Sequence, residues 1–372
     1  MTKYELASKS SFTGPGSALN DDRTTDSSSG PTKMTGRIVY DWPRLPQPRG
    51  PLSAFVSSAL RQQPGTLGAT PPISGIDALK DDDFELALYL CYEVHYQALT
   101  DADWEWDPGL LKFRAELERV FEDRLRDEVG PVNARFPFEM VPALEELIRV
   151  WPNPTLSTYL LESGTLEQLR EFCVHRSAYR LKEADFHAFA IPRLTGVVKA
   201  EMVRLQYDEY GSGDATGSHS TLFGATMTAL GLDSSYGSYV ETLPGVTLAT
   251  VNLVSMFALH RRWRAALVGH LAIFEKTSVE LMGRYSQALE RYGLSPADRR
   301  FYDVRVNVDT SRAEIARDRL VTGLMVTEPH LGVDLLFGAT CLLMLEQRFS
   351  AYLLDAWSED RSSLIPWEMT AP

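Results

Sequence analysis

The chain has 372 residues, 44% of them hydrophobic, enough to fill the core of one large domain or two ordinary ones. Its formal charge of −13 argues against the basic face that nucleic acid or an anionic membrane surface would require, so a small-molecule substrate is the expectation, with no nucleic acid and no membrane as partner. Three cysteines, Cys91, Cys173 and Cys341, show no CxxC spacing and read as buried thiols rather than a disulfide framework or a zinc knuckle.

From Met1 to about residue 80 the composition is Ser, Thr, Gly and Pro, with 9 of the 21 prolines, which predicts a poorly structured N-terminal arm over 1–80. The opening "MTKYELASKSSFTGPG" lacks the apolar core of a secretory signal, and no apolar run approaches the roughly 20 residues of a membrane span, so a cytoplasmic location is expected. Beyond Asp81 the pattern changes. "DDFELALYLCYEVHYQAL", "DPGLLKFRAELERVFEDRLRDEV", "FEMVPALEELIRVW", "TLEQLREFCVHRSAYRLKEADFHAF" and "RLTGVVKAEMVRLQYDEYG" carry apolar residues at spacings of three and four, and the later segments continue this without an alternating strand pattern. The spacing predicts an all-α domain over 81–372, with Asp107-Pro108 and Ser295-Pro296 as helix starts.

Helical bundles build metal sites from inward carboxylates and histidines, so acids on apolar faces are the candidates. Glu183 in "YRLKEADF" and Glu209 in "QYDEYG" would lie roughly 39 Å apart on one straight helix. Pro192 and Gly196 in "IPRLTG" allow a reversal that brings both carboxylates to one level of an antiparallel pair, although Pro192 could equally only kink the helix. His219 follows Glu209 across the Gly- and Ser-rich "GSGDATGS", which lacks the preceding strand and the lysine of a phosphate loop. Glu275 sits among Leu271, Ile273 and Phe274, either paired, liganding or turned outward. In "FYDVRVNVDTSRAEI", Arg305, Asp309 and Arg312 share one face if the segment is a single helix. His187, four residues after Glu183, could reach the same face. His95, His175, His260, His270 and His330 have no evident partner, and Glu93 and His95 point to different sides of their helix.

The blocks "YRLKEADFHAFAIPRLTGVVKAEMVRLQYDEYGSGDATGSHSTLF", "FEKTS" and "LEQRFSAYLLDAW" resemble the iron-containing redox enzymes, the haem-oxygenase-like diiron oxidases and oxygenases, over about residues 85–360. The resemblance implies a haem-oxygenase-like bundle of about seven main helices. It also implies a diiron centre that activates O2 in chemistry often belonging to natural-product biosynthesis. It assigns Glu183, Glu209, His219, Glu275 and Asp309 to metal. The family's last ligand helix has the form His-x3-Asp-x2-His, and here "RVNVDTSR" retains Asp309 but puts Arg305 and Arg312 where the histidines stand. A guanidinium offers only donors and cannot ligate a cation. Two readings of that helix follow: the arginines pair with the inward carboxylates in the space of the metal, leaving one iron position or none, or the helix is rotated and they pair with Asp309 facing water.

Three functions are then open. The first is an iron- and O2-dependent oxidase or oxygenase with an altered site. The second is a metal-independent cyclase, hydrolase or condensing enzyme on the same fold, with Arg305, Arg312 and Asp309 as catalytic groups. The third is a non-catalytic pseudo-oxidase. Pairing of two copies through a helix face as a homodimer fits the pattern without being required by it.

Overall fold

The computed structural model describes residues 45–65, 67–97, 100–133, 135–151, 155–307 and 310–366, with residues 155, 307 and 310–317 described as backbone only. Among these the secondary structure is helical, without a strand. In chain order the α-helices are α1 (Pro51–Leu60), α2 (Asp82–Glu93), α3 (Pro108–Val129), α4 (Met140–Val150), α5 (Thr155–Glu162), α6 (Leu166–Arg180), α7 (Glu183–Ala188), α8 (Gly196–Glu209), α9 (His219–Ala229), α10 (Gly245–Leu259), α11 (Arg264–Arg291), α12 (Arg300–Asn307), α13 (Thr310–Thr327) and α14 (Gly332–Ser358). Seven of them, α3, α6, α8, α10, α11, α13 and α14, have 14 residues or more, which is the number of main helices expected.

The helix starts are written locally. The Asp81 side chain accepts from the Phe84 amide, and Asp107, just before Pro108, accepts from the Leu110 amide. Thr165 and Gln168 close a reciprocal box at the head of α6. After Ser295-Pro296 the expected start comes later: Ser295 and Asp298 exchange hydrogen bonds in a turn, and α12 begins at Arg300.

The described part of the 1–80 segment differs from a loose arm. Helix α1 puts Leu52, Val56, Ala59 and Leu60 into the main core against α2, and the Asp83 carboxylate accepts from the amides of Leu52 and Ser53, the second and third residues of α1. Short apolar residues in Pro-rich surroundings hid this helix from the composition.

The long helices α11 and α14 pack so closely that glycine is required on both. A Cβ at Gly269 would stand 1.9 Å from the Leu335 carbonyl oxygen, and one at Gly338 would stand 2.1 Å from that of Ala266. Around this crossing the buried apolar residues form two clusters. One lies on α1 to α3 with α10 and the first half of α11; the other lies on α5, α6, α9, α12 and the second half of α14. Within the described residues one helical stretch, Pro329–Ser358, is long and apolar enough to cross a membrane, which the sequence reading did not expect. Its apolar window is 67% buried inside the protein, and the stretch carries Asp334, Glu346, Arg348 and Asp355.

Candidate functional site

Between the two apolar clusters lies a charged centre built around Arg305. The chain reverses between α7 and α8, with Gly196 as the first residue of α8, and this lays Glu183 and Glu209 at one level. One Arg305 nitrogen, Nη2, donates to Glu183 Oε1 at 2.8 Å and to Glu209 Oε2 at 3.1 Å. The other terminal nitrogen, Nη1, is 4.0 Å from Glu275 Oε1 on α11. The two side chains bonded most closely, Arg305 and Glu183, are each 4% exposed, so this is a desolvated ion pair rather than a surface one.

His219 joins the cluster through a tight backbone turn. Gly211 (φ 78), Ser212 (φ 55) and Gly213 (φ 92) run through the left-handed region, and a Cβ at Gly211 would meet the Ser218 amide nitrogen at 2.5 Å. The turn folds residue 218 back onto the end of α8, and the Ser218 side chain then caps α9 at the Thr221 amide. His219, the first residue of α9, therefore places Nδ1 2.6 Å from Glu209 Oε2 and 2.9 Å from Arg305 Nη2. A single Nδ1 cannot donate to the carboxylate and accept from the guanidinium at once. The shorter, charge-assisted contact assigns the proton to Nδ1, donating to Glu209, and leaves Nε2 as the acceptor.

A second guanidinium, which the sequence reading did not single out, completes the network. Arg180, three residues before Glu183, donates through Nη1 to Glu183 Oε2 at 2.7 Å, so Glu183 is held between two arginines. Both guanidiniums lie over the same two rings: Arg180 is 4.8 Å from Phe274 and 5.5 Å from Phe301, and Arg305 is 5.6 and 5.5 Å away. The signal was present in the Arg180–Glu183 spacing of three, although the pair spans the junction of α6 and α7.

Burial and charge set the protonation states together. Burial alone would depress the Arg305 guanidinium, but the carboxylates of Glu183, Glu209 and Glu275 outweigh it and hold it above its ordinary value. Burial pushes Glu209 up, whereas Arg305 and His219 together bring it down to about 2. Glu275, farther from the guanidinium, is pushed up to about 7 by burial, against the pull of Arg305 and with Glu209 and Glu183 adding to the rise.

One turn deeper lies a layer of polar atoms without protein partners. His187 on α7 leaves Nε2 unpaired, Gln206 on α8 leaves both amide atoms unpaired, and His270 on α11 leaves both ring nitrogens unpaired. His187 and His270, with ring centroids 5.8 Å apart, are neighbours, so His270 has a companion that the sequence did not reveal. Of the other histidines, His175 bridges Thr247 and Ser363, His260 contacts Glu118, and His95 lies between Arg114 and Glu105. Glu93 points away from His95, as its spacing implied, and pairs with Lys182.

Of the expected last-helix residues, Arg305 is inside the cluster, while Asp309 and the side chain of Arg312 lie outside the described residues. The described residues on either side, Arg300–Asn307 and Thr310–Thr327, are helical.

Residues 170–347 match the model of a protein family described as iron-containing redox enzyme. Over this stretch the chain is similar to that family. Nitrosourea synthase from Streptomyces achromogenes subsp. streptozoticus is 23% identical over 232 residues, 57% of this chain and 48% of that protein, so the chain spans about half the length of the curated relative it matches. Two solved structures are also similar. A CADD-like protein of unknown function from Nostoc punctiforme has a TM-score of 0.48 and 16% identity, covering 59% of this chain and 97% of its own. A domain of unknown function with a haem oxygenase-like fold from Shewanella denitrificans has a TM-score of 0.43 and 13% identity, covering 60% and 93%.

The family implies iron, and the cluster does not fit it. Among the described residues no group of three or more His, Cys, Asp or Glu is arranged to hold a metal ion. The chemistry explains why. The oxygens of Glu183 and Glu209 that would face a cation receive Arg305 instead. Three carboxylates against the two guanidiniums of Arg180 and Arg305 leave a charge of −1 at most, whereas two ferrous ions would bring four positive charges into the same space.

Proposed function

We propose that this chain is a small-molecule enzyme on the fold of the iron-containing redox family whose cleft works without a two-iron centre. The observation that carries the reading is the single Arg305 guanidinium donating to Glu183 and Glu209, with His219 and Glu275 beside it. A cleft of about 580 Å3 opens onto these groups and is lined by Glu209, His219, Glu275, Ser278, Arg300 and Arg305, ample space for a metabolite.

In this reading Glu209 orients His219 through Nδ1, and Nε2 takes a proton from the ligand and returns it. Arg305, itself buried, supplies a fixed positive charge beside developing negative charge. The reaction class is proton-transfer chemistry of the cyclisation, hydrolysis or condensation type. The nitrosourea synthase relative favours a natural-product pathway, and a cytoplasmic setting goes with the reading.

The test is anaerobic loading of the full chain with Fe(II), removal of free metal, and an iron count, beside the Arg305→His variant. The expected result is iron well below one per chain in the natural protein and more in the variant. Two irons per natural chain would overturn the reading and return the protein to O2-dependent redox chemistry. Once a substrate is found, turnover that persists without oxygen and with chelator supports it, and His219→Asn should lower kcat by 100-fold or more, roughly the size of a general-base contribution.

A further inference from the structure

Beside the Arg305 cluster, with Arg180 in its lining, is a second space that the proposed chemistry does not use. It measures about 70 Å3, and its lining includes Trp151, Tyr179, Phe274, Tyr285 and Leu342. A water needs roughly 10–15 Å3 in this measure, so the chamber holds a group of about five or six heavy atoms. One polar atom in its wall is unspent: the Tyr179 hydroxyl has no hydrogen-bond partner, although Tyr179 is only 5% exposed. A buried hydroxyl without a partner is costly, and an acceptor arriving in the chamber would remove that cost. The neighbouring Arg176 offers no competing donor set, because both its terminal nitrogens are engaged by Glu346 at 2.8 and 2.6 Å.

The chamber also adjoins the cleft. Ser278 lines both spaces, and Phe274 forms a chamber wall while lying under the guanidiniums of Arg180 and Arg305. From this juxtaposition we propose that the chamber recognises a small aromatic group bearing a hydrogen-bond acceptor, the apolar end of a ligand whose polar end lies in the Arg305 cleft. Four aromatic rings in the lining favour a flat ring over a linear chain, since stacked and edge-on contacts are then available on several sides. The second half of the inference rests on the cleft being the working site; the first half does not.

Pyridine and benzene are the probes, each with six heavy atoms and one with an acceptor nitrogen. Binding to the full chain is read by saturation-transfer NMR with titration at pH 7.5, where pyridine is neutral. The expected result is saturable binding of both, with pyridine the tighter. Tyr179→Phe should weaken pyridine by about 5- to 10-fold, the usual range for one lost hydrogen bond, and leave benzene within about 2-fold. Leu342→Trp, which fills the chamber from α14, should abolish both. Thr250→Leu fills it from α10 in case the first variant does not fold, as judged by circular dichroism. No saturable binding to the folded natural chain, or binding unchanged in a folded filled variant, overturns the proposal. Because these probes are read without metal or turnover, their failure leaves the iron count to judge the cleft, and two irons per chain would leave the chamber standing.

Discussion

Two buried cations, one next to Glu183 in sequence and one paired with it in space, are treated differently. Lys182, immediately before Glu183, has a fully buried ammonium paired with Glu93 and surrounded by the rings of Tyr89, Tyr96, Phe186 and Tyr236 at 4.5 to 5.7 Å. Tyr236 donates its hydroxyl to the other oxygen of Glu93 at 2.5 Å. That group is closed: one positive charge, one negative charge, and aromatic faces on the remaining sides. Arg305 shares three carboxylates and a histidine with one further cation, Arg180, and a cleft reaches Glu209, His219 and Glu275. The contrast separates a buried charge closed on every side from one that a cleft reaches.

The sharpest way to break the comparison is to remove each cation. Lys182→Met strands Glu93 in the interior and should cost about 3–5 kcal/mol in urea unfolding, with much of the loss recovered when Glu93→Gln is added. Arg305→Met should cost less, because part of its cluster is open to water, and here added Mn2+ should raise Tm in a concentration-dependent way by occupying the freed carboxylates. Mn2+ should leave the Lys182→Met protein unmoved. Equal metal responses in the two variants would erase the distinction.

Acid should act next, through histidines held neutral. Burial brings His175 down from 6.5 to about 3 and His187 down to about 4, with Glu183 and Glu209 pulling the latter the other way. These folded values are depressed, so the unfolded chain binds more protons between pH 6.5 and the folded values. Stability contributed by these groups is complete above pH 6.5 and is lost as pH falls through that window. A urea series from pH 7 to pH 4 should show a steady fall, and His175→Gln should flatten it. The smallest effect is expected at His270, whose ring nitrogens lack partners: His270→Leu should be neutral or stabilising by up to about 1 kcal/mol in the same assay, because it removes buried polar atoms rather than bonds.

Much of this arrangement could be read from the chain. Inward acids on periodic faces located Glu183, Glu209 and Glu275, and the family resemblance supplied His219 and the place of Arg305. The turn at 191–196 was one of two readings of Pro192 and Gly196, the other being a kink in a single helix. What escaped were partners brought together from afar. Nothing in the local spacing joins Lys182 to Glu93 and Tyr236, or His187 to His270, since each link crosses between helices that are remote in sequence. Helix α1 escaped for a different reason: its small residues, Ser53, Ser57 and Ala59, pack well but weigh little in any hydrophobic pattern.

The glycine crossing of α11 and α14 bears on how such a centre can change. Gly269 lies six residues before Glu275, and the missing methyl groups at Gly269 and Gly338 let each helix backbone rest against the other's carbonyl oxygens. Sliding α11 by one residue would move Glu275 by about 1.5 Å along the axis and about 100° around it, out of reach of Arg305. The interlock therefore works as a gauge: residues at the centre can be exchanged one for another, as arginine for histidine, while insertions and deletions along this stretch of α11 cannot be absorbed.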